Sequence, residues 1–276
     1  MLMRAETNNQ SAGDDAIILK AGNIEIRLAA TDEELKAAQM LRYQVFYQEM
    51  NAKASDEMKS LGRDYDDFDD ICDHLLAFDT NKSGPESVIA TYRLLREEKI
   101  NSIDDFYSSQ EFDLSNFNSA AFKKLKGNGQ LLELGRSCVR EDYRSNNIIQ
   151  LMWRAIVRYL GMHNVTFLFG CASLAGTDQK ALELPLSYLY EAHKTPDDIN
   201  IPAVKSRYQK MNYLSGDALD VKKAKRLLAP LVRGYVRLGC YIGDGAVIDE
   251  EFGTTDVFIL LSIDTLRQKS PSLFES

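Results

Sequence analysis

Polar and apolar residues alternate over 23–28 (NIEIRL), a period of two that predicts a strand. Thr31-Asp32-Glu33-Glu34 follows with the form of a capping box, in which the threonine hydroxyl and the Glu34 carboxylate satisfy free amides. Leu35, Ala38, Leu41 or Arg42, Val45, Phe46 and Met50 then recur at helical spacing, and the polar stretch 51–73 reads as loop. Strands are predicted over 74–78 and 88–95, on either side of the turn Asn81-Lys82-Ser83-Gly84-Pro85. Short helices are expected over 100–126. Gly127-Asn128-Gly129 turns the chain into a strand over 130–139. Ser145 or Asn146 then caps an amphipathic helix whose inner face is Ile148, Ile149, Met152, Ala155, Ile156 and Tyr159.

The run VTFLFGC over 165–171 is apolar, β-branched and aromatic, as a buried strand requires. Residues 180–191 predict a helix, 195–215 a loop, and 221–238 a basic helix that Pro230 breaks or restarts. TDVFILLSI over 255–263 closes the sheet. The order β-α-β-β-β-α-β, with more helix and strand behind it, predicts an α/β fold around a mixed sheet. One domain over 23–265 is expected, between a disordered tail over 1–22 and a C-terminal tail over 266–276.

Composition narrows the function classes. The chain has 276 residues, 45% hydrophobic and 27% charged, which suits one large domain. No segment approaches the roughly 18 apolar residues of a membrane-spanning helix, and the polar N-terminus has no secretory h-region. Four cysteines, Cys72, Cys138, Cys171 and Cys240, are scattered without a CxxC pair, and there are three histidines. A disulfide framework and a metal centre are both disfavoured, and a reducing cytoplasm fits. The net charge of −8 argues against nucleic acid as a partner. Its distribution says more: six aspartates fall between Asp64 and Asp73, and six basic residues without an acidic one between Val221 and Gly243.

Four constellations could carry chemistry. The acidic loop Asp64-Tyr65-Asp66-Asp67-Phe68-Asp69-Asp70 reads either as a solvated charge run or as a site for a cation; it leads directly into a buried strand at His74. Its spacing is not that of a calcium-binding EF-hand. Glu133 lies inside the apolar strand LLELGRSCV, where an ionisable group is costly unless paired or working. It is either a general base raised by burial or a partner of Arg136 or Arg93. Strand alternation puts Glu133 on the face of Gly135 and Arg136 on the opposite one. Arg140 and Arg144 flank a strand-to-helix turn whose free amides could meet a phosphate, although many such turns bind nothing. Lys222, Lys223, Lys225, Arg226, Arg233 and Arg237 make a basic amphipathic helix, either an ordinary surface or a landing site for an anionic partner. Cys138 reads as packing, and no GxSxG elbow is present.

Taken together, Arg42-Tyr43-Gln44-Val45-Phe46, Asp66-Asp67-Phe68-Asp69, Thr91-Tyr92-Arg93-Leu94-Leu95 and Glu133-Leu134-Gly135-Arg136-Ser137-Cys138-Val139 resemble a known arrangement. It is shared by acyl-homoserine-lactone synthases and ornithine Nα-acyltransferases, both of the GNAT superfamily. The strings CDHLL, ELGRSCV, LFGCASLAGTD and GDGAVIDEEFGTTDVFILL resemble the ornithine acyltransferases more closely.

The resemblance implies a GNAT fold with C-terminal helical additions and no bound cofactor. It implies an acyl thioester lying along Ser137, Cys138 and Val139, with its phosphate met by Arg140, Arg144 and Ser145. Glu133 would be the base within a polar set of Asp66, Asp69, Arg93 and Arg136, and Arg42, Phe46, Phe68 and His74 would line the acceptor side. Asp66 and Asp69 would hold a cationic acceptor, with an arginine for its carboxylate. The glycine-rich RxxGxG of acetyl-CoA enzymes is replaced by Arg-Glu-Asp-Tyr-Arg-Ser, which favours an acidic acyl carrier protein landing on the basic helix. The implied reaction is N-acylation of ornithine by 3-hydroxyacyl carrier protein, giving a lyso-ornithine lipid at the inner face of the cytoplasmic membrane. The alternatives are another acceptor (glycine, glutamine, lysine or S-adenosylmethionine) or a non-catalytic module that binds a carrier or a membrane.

Overall fold

The Thr31 hydroxyl accepts from the Glu34 amide, and Glu34 reaches back to the amide of Ala30, so the start of α1 (Asp32–Tyr43) is closed from both sides. The helical spacing continues to Met50, but over Gln44–Glu49 the chain widens into a π-type turn, a local expansion that tends to gather at functional sites. The computed structural model describes residues 17–145 and 147–275. The tail over 1–16 and the proposed cap Asn146 lie outside the described residues.

A nine-stranded mixed sheet forms the centre, in the order β1-β2-β3-β4-β5-β6-β9-β8-β7. Its strands are β1 (Ile17–Ala21), β2 (Ile24–Leu28), β3 (Asp73–Asp79), β4 (Val88–Arg96), β5 (Gln130–Val139), β6 (Val165–Ala175), β7 (Tyr208–Gln209), β8 (Tyr241–Asp249) and β9 (Thr254–Ser262). The strand β1 corrects the expected tail over 1–22. Ile17, Leu19, Lys20 and Ala21 pair with β2, and Leu19 is buried against its neighbours. Neighbours run antiparallel except β5 and β6, which are parallel and joined by α4 (Ile148–Met162). That crossover is what a parallel pair requires.

The two faces of the sheet differ in character. On one, Ile148, Met152, Ile156 and Tyr159 of α4 pack on Tyr92, Leu94, Leu132 and Leu134. Ile149, expected on that inner face, is exposed instead. On the other, Phe106, Phe112, Phe117, Phe122, Phe167, Phe169 and Phe258 fill one half, and α1 covers Leu76, Phe78 and Cys138 in the other.

The remaining helices are α2 (Asp56–Leu61), within the expected loop, α3 (Ala120–Lys126) and α5 (Gln179–His193). Pro230 splits the basic segment into α6 (Val221–Leu227) and α7 (Pro230–Leu238). The expected C-terminal tail begins inside α8 (Ile263–Lys269), whose Leu266 is fully buried.

Candidate active site

The acidic loop folds back on α1 because three arginines neutralise its carboxylates. Arg42, fully buried, donates to both carboxylate oxygens of Asp69 at 2.9 and 2.7 Å and to the Asp64 carbonyl at 2.6 Å. Arg93 reaches Asp66 at 2.5 Å and Asp69 at 3.2 Å, while Arg136 reaches Asp64 and Asp66 at 3.2 Å each. Such charge-assisted pairing is what makes burial of these groups tolerable. Burial works against the charge of Asp69, yet the Arg42 hydrogen bonds and the positive field of Arg42 and Arg93 hold its carboxyl well below the usual range. Burial lowers the His74 imidazole, and its Nε2 sits 3.0 Å from the Asp69 carbonyl, which only accepts, so that nitrogen carries the proton.

Simple alternation placed Arg136 away from Glu133. The structure corrects this. Thr91 pairs with Cys138 and Arg93 with Gly135, so β5 has one residue more than β4 across this stretch. Arg136 takes up the excess in a left-handed conformation, φ +48°. Its guanidinium is thereby brought 5.0 Å from the Tyr107 ring centre, on the side where Tyr107 and Ser108 meet Glu133.

Glu133 is 5% exposed, and its two oxygens accept the backbone amides of Tyr107 at 2.9 Å and Ser108 at 2.7 Å. Burial raises its carboxyl above the ordinary value, against the pull of those amides and of nearby Arg93. It therefore faces Arg93 electrostatically without a direct ion pair to either arginine.

Glu133 and Phe169 are also the last residues that β5 and β6 pair. Beyond them β5 continues with β4 and β6 with β9, and a cleft of about 470 Å³ opens between. Phe46, Phe68, Arg93, Tyr107, Ser108, Glu133 and Arg136 line it, as do Ser137, Cys138, Val139 and Arg144 further along β5. Ala229, which precedes α7, Pro230, Leu231 and Tyr235 of α7, and Asp249, Phe252, Thr254 and Asp256 of the β8–β9 region also border it.

Other expected residues are placed differently. Arg42, His74, Asp66 and Asp69 support the cleft without lining it. Arg140 is buried and bound to Asp142 at 2.8 Å and the Glu86 carbonyl at 2.7 Å, and Arg144 is paired with Glu49. Ser145 is exposed on the same turn. Lys222, Lys223, Lys225, Arg226 and Arg237 are exposed, but Arg233 is half-buried and donates to the carbonyls of Arg226 and Leu228 at the end of α6. Sequence reasoning missed Tyr107 and Ser108, which lie in a short 3-10 turn without periodicity. It also missed Asp256, although an acid inside the apolar strand TDVFILLSI is the same signal that singled out Glu133.

The parted parallel strands and the cleft between them define an acyltransferase of the GNAT type. Residues 41–154 match the family described as Acetyltransferase (GNAT) domain. An L-ornithine N(alpha)-acyltransferase of Brucella abortus (strain 2308) is 42% identical over 96% of this chain and 93% of its own length. Its counterpart from Rhizobium meliloti (strain 1021) is 39% identical over 90% and 82%. The chain belongs to the family of L-ornithine Nα-acyltransferases. The solved structure of FeeM, an N-acyl amino acid synthase from uncultured soil microbes, aligns with a TM-score of 0.47 and 9% identity, covering 92% of this chain and 98% of that one.

Proposed function

We propose that this chain moves a 3-hydroxyacyl group from acyl carrier protein to the α-amino group of ornithine, giving a lyso-ornithine lipid. The observation that carries the reading is the opening between β5 and β6 directly beside Glu133. The β5 edge beyond Glu133 is released from β6, so its main-chain groups can pair with the pantetheine amides of a thioester donor. An amine is mostly protonated at pH 7, and a carboxylate whose basicity is raised by burial is suited to removing that proton. The freed amine attacks the thioester carbon, a C–N bond forms, the C–S bond breaks, and the departing thiolate takes up a proton. Free amides of β5 are available to the transient oxyanion. Arg93 and Arg136, held in place by Asp66, Asp69 and Asp64, offer guanidinium groups to the acceptor carboxylate.

The carrier-protein donor is supported by position. Residues of α7 border the cleft, and the exposed Lys222, Lys223, Lys225, Arg226 and Arg237 share that helix pair, where an acidic carrier can dock. No helix among the described residues is long and apolar enough to cross a membrane, and the amphipathic product suits peripheral work at the inner face of the cytoplasmic membrane. Glu133→Ala tests the reading against a binding module. An enzyme loses turnover and keeps carrier binding; a module would be indifferent in both respects.

A further inference from the structure

Outside the arginine cluster, a second group of carboxylates stands at the cleft: Asp249 and Asp256 line it, and Glu111 lies beside them. Glu111, Asp249 and Asp256 each place an oxygen within 4.8 Å of the others. Each also has partners: Glu111 Oε1 is held by Arg207 at 3.1 Å, Asp256 by the Thr254 hydroxyl at 2.8 Å and by the Ser173 side chain, and Asp249 Oδ1 by the amides of Glu251 and Phe252 at 2.8 and 3.0 Å. Glu111 is 5% exposed, and its Oε2 is buried without a partner. Three acids thus face a single guanidinium at the cleft wall, and burial pushes Glu111 up to about 7 and Asp256 up to about 6. A charge balance of this kind calls for a cation.

The sheet register ties this group to Glu133. Glu133 pairs with Phe169, and Asp256 pairs with Ser173 on the same strand, so by two-residue alternation both project to the same face. Cys171 stands between them. Its Sγ lies 3.4 Å from the hydroxyl of Ser108, whose amide holds Glu133, and its thiol feels Glu111, Asp256 and Glu133.

We infer that Glu111, Asp249 and Asp256 form a subsite for the side-chain ammonium of a diamino-acid acceptor, which rests on the acceptor reading proposed above. Five bonds separate the two nitrogens of ornithine, about 6 Å when extended, and Cys171, which borders the cleft together with Glu133 and Asp256, stands between that base and the trio. Asp64, Asp66 and Asp69 are already matched by Arg42, Arg93 and Arg136, whereas the three acids of this trio share the single guanidinium of Arg207 among the described residues. The ammonium offers three donors to three carboxylates, including the unpartnered Oε2 of Glu111.

The test compares ornithine with 2-aminopentanoate, which keeps the α-amine, the carboxylate and the chain length and lacks the terminal ammonium. The readout is the preference, kcat/KM for ornithine divided by that for 2-aminopentanoate, with one acyl-carrier donor throughout. Wild-type protein should prefer ornithine, and Asp256→Asn should lower that preference by about 30-fold or more. Asp249→Asn, at a half-buried position, carries the same expectation if the buried variant does not fold. A preference unchanged in the variants overturns the subsite, including the case in which both substrates slow alike. Wild-type protein that uses both amino acids equally also overturns it, while leaving amine acylation standing. If wild-type protein acylates neither, the acceptor reading falls first and the subsite with it. Ornithine turnover lost in EDTA and restored by calcium in wild-type protein, but not in Asp256→Asn, would assign the trio to a metal and overturn the ammonium.

Discussion

Glu133 of β5 and Phe169 of β6 form the last rung of the parallel ladder, and the strands part immediately beyond them. The approach at the apex is close: a Cβ on Gly170 would lie 2.4 Å from the carbonyl oxygen of Leu134. A buried carboxylate therefore stands where the sheet changes from paired backbone to open edge.

Gly170→Ala should push the apex apart. Overpacking against backbone costs about 1–3 kcal/mol, a fall in Tm of roughly 2–12 °C for a domain of this size. Gly161→Ala in α4 adds the same methyl where nothing lies within 4 Å, and should instead stabilise by about 0.5–1 kcal/mol. Thermal melts of the two variants check the pair of signs, and equal shifts would contradict the account.

Arg136→Lys keeps the charge and loses the forked contact to Asp64 and Asp66. The expected outcome is a KM for the amino acid raised about tenfold or more, as for a weakened charge-assisted contact, with a smaller effect on kcat. Steady-state kinetics with varied acceptor measure it. An unchanged KM would remove Arg136 from acceptor binding.

Much of this was legible in the sequence, and the failures have physical causes. The apolar strand around Glu133 announced both β5 and its costly acid. Alternation misplaced Arg136 because it assumes unbroken pairing, and the extra residue of the bulge breaks it. Strand β8 was missed because its GDG segment is atypical for a strand. Gly243 is needed where a Cβ would lie 2.2 Å from the Ile201 carbonyl oxygen, and Gly245 has φ +86°. The five residues of β1 gain strand character from pairing with β2 rather than from a pattern of their own. The acidic loop read either as a solvated charge run or as a cation site, since sequence distance hid the arginines of α1, β4 and β5 that pair with Asp64, Asp66 and Asp69.

Glu111 supplies a pH test. Its folded value is pushed up to about 7, first by burial and then by Asp256, with Arg207 opposing and Asp249 adding to the rise, whereas an unfolded glutamate titrates near about 4.3. Between those values the folded state binds more protons, so this group's contribution to stability grows as pH falls from 8 to 5. Glu111→Gln removes the titration and keeps the shape. The Tm of wild-type protein minus that of the variant should rise on acidification across this window, by the equivalent of about 2–3 kcal/mol. A pH-independent difference would contradict it.

Charge reversal of the exposed Lys222 and Lys225 should raise KM for the acyl-carrier donor about tenfold at low salt and leave kcat alone. The effect should fade as the screening length shrinks to about 8 Å at physiological ionic strength. Arg233→Ala should act on stability instead, because that side chain holds the carbonyls of Arg226 and Leu228. Kinetics at two salt concentrations, together with a melt, separate the roles.

The most direct test of the central claim is to incubate the purified protein with 3-hydroxyacyl carrier protein and ornithine and to weigh the product. The account predicts N-acylornithine with stoichiometric release of free carrier thiol, and its disappearance in Glu133→Ala. Release of thiol without an acylated amino acid, or N-acylornithine formed at the same rate without Glu133, would contradict it.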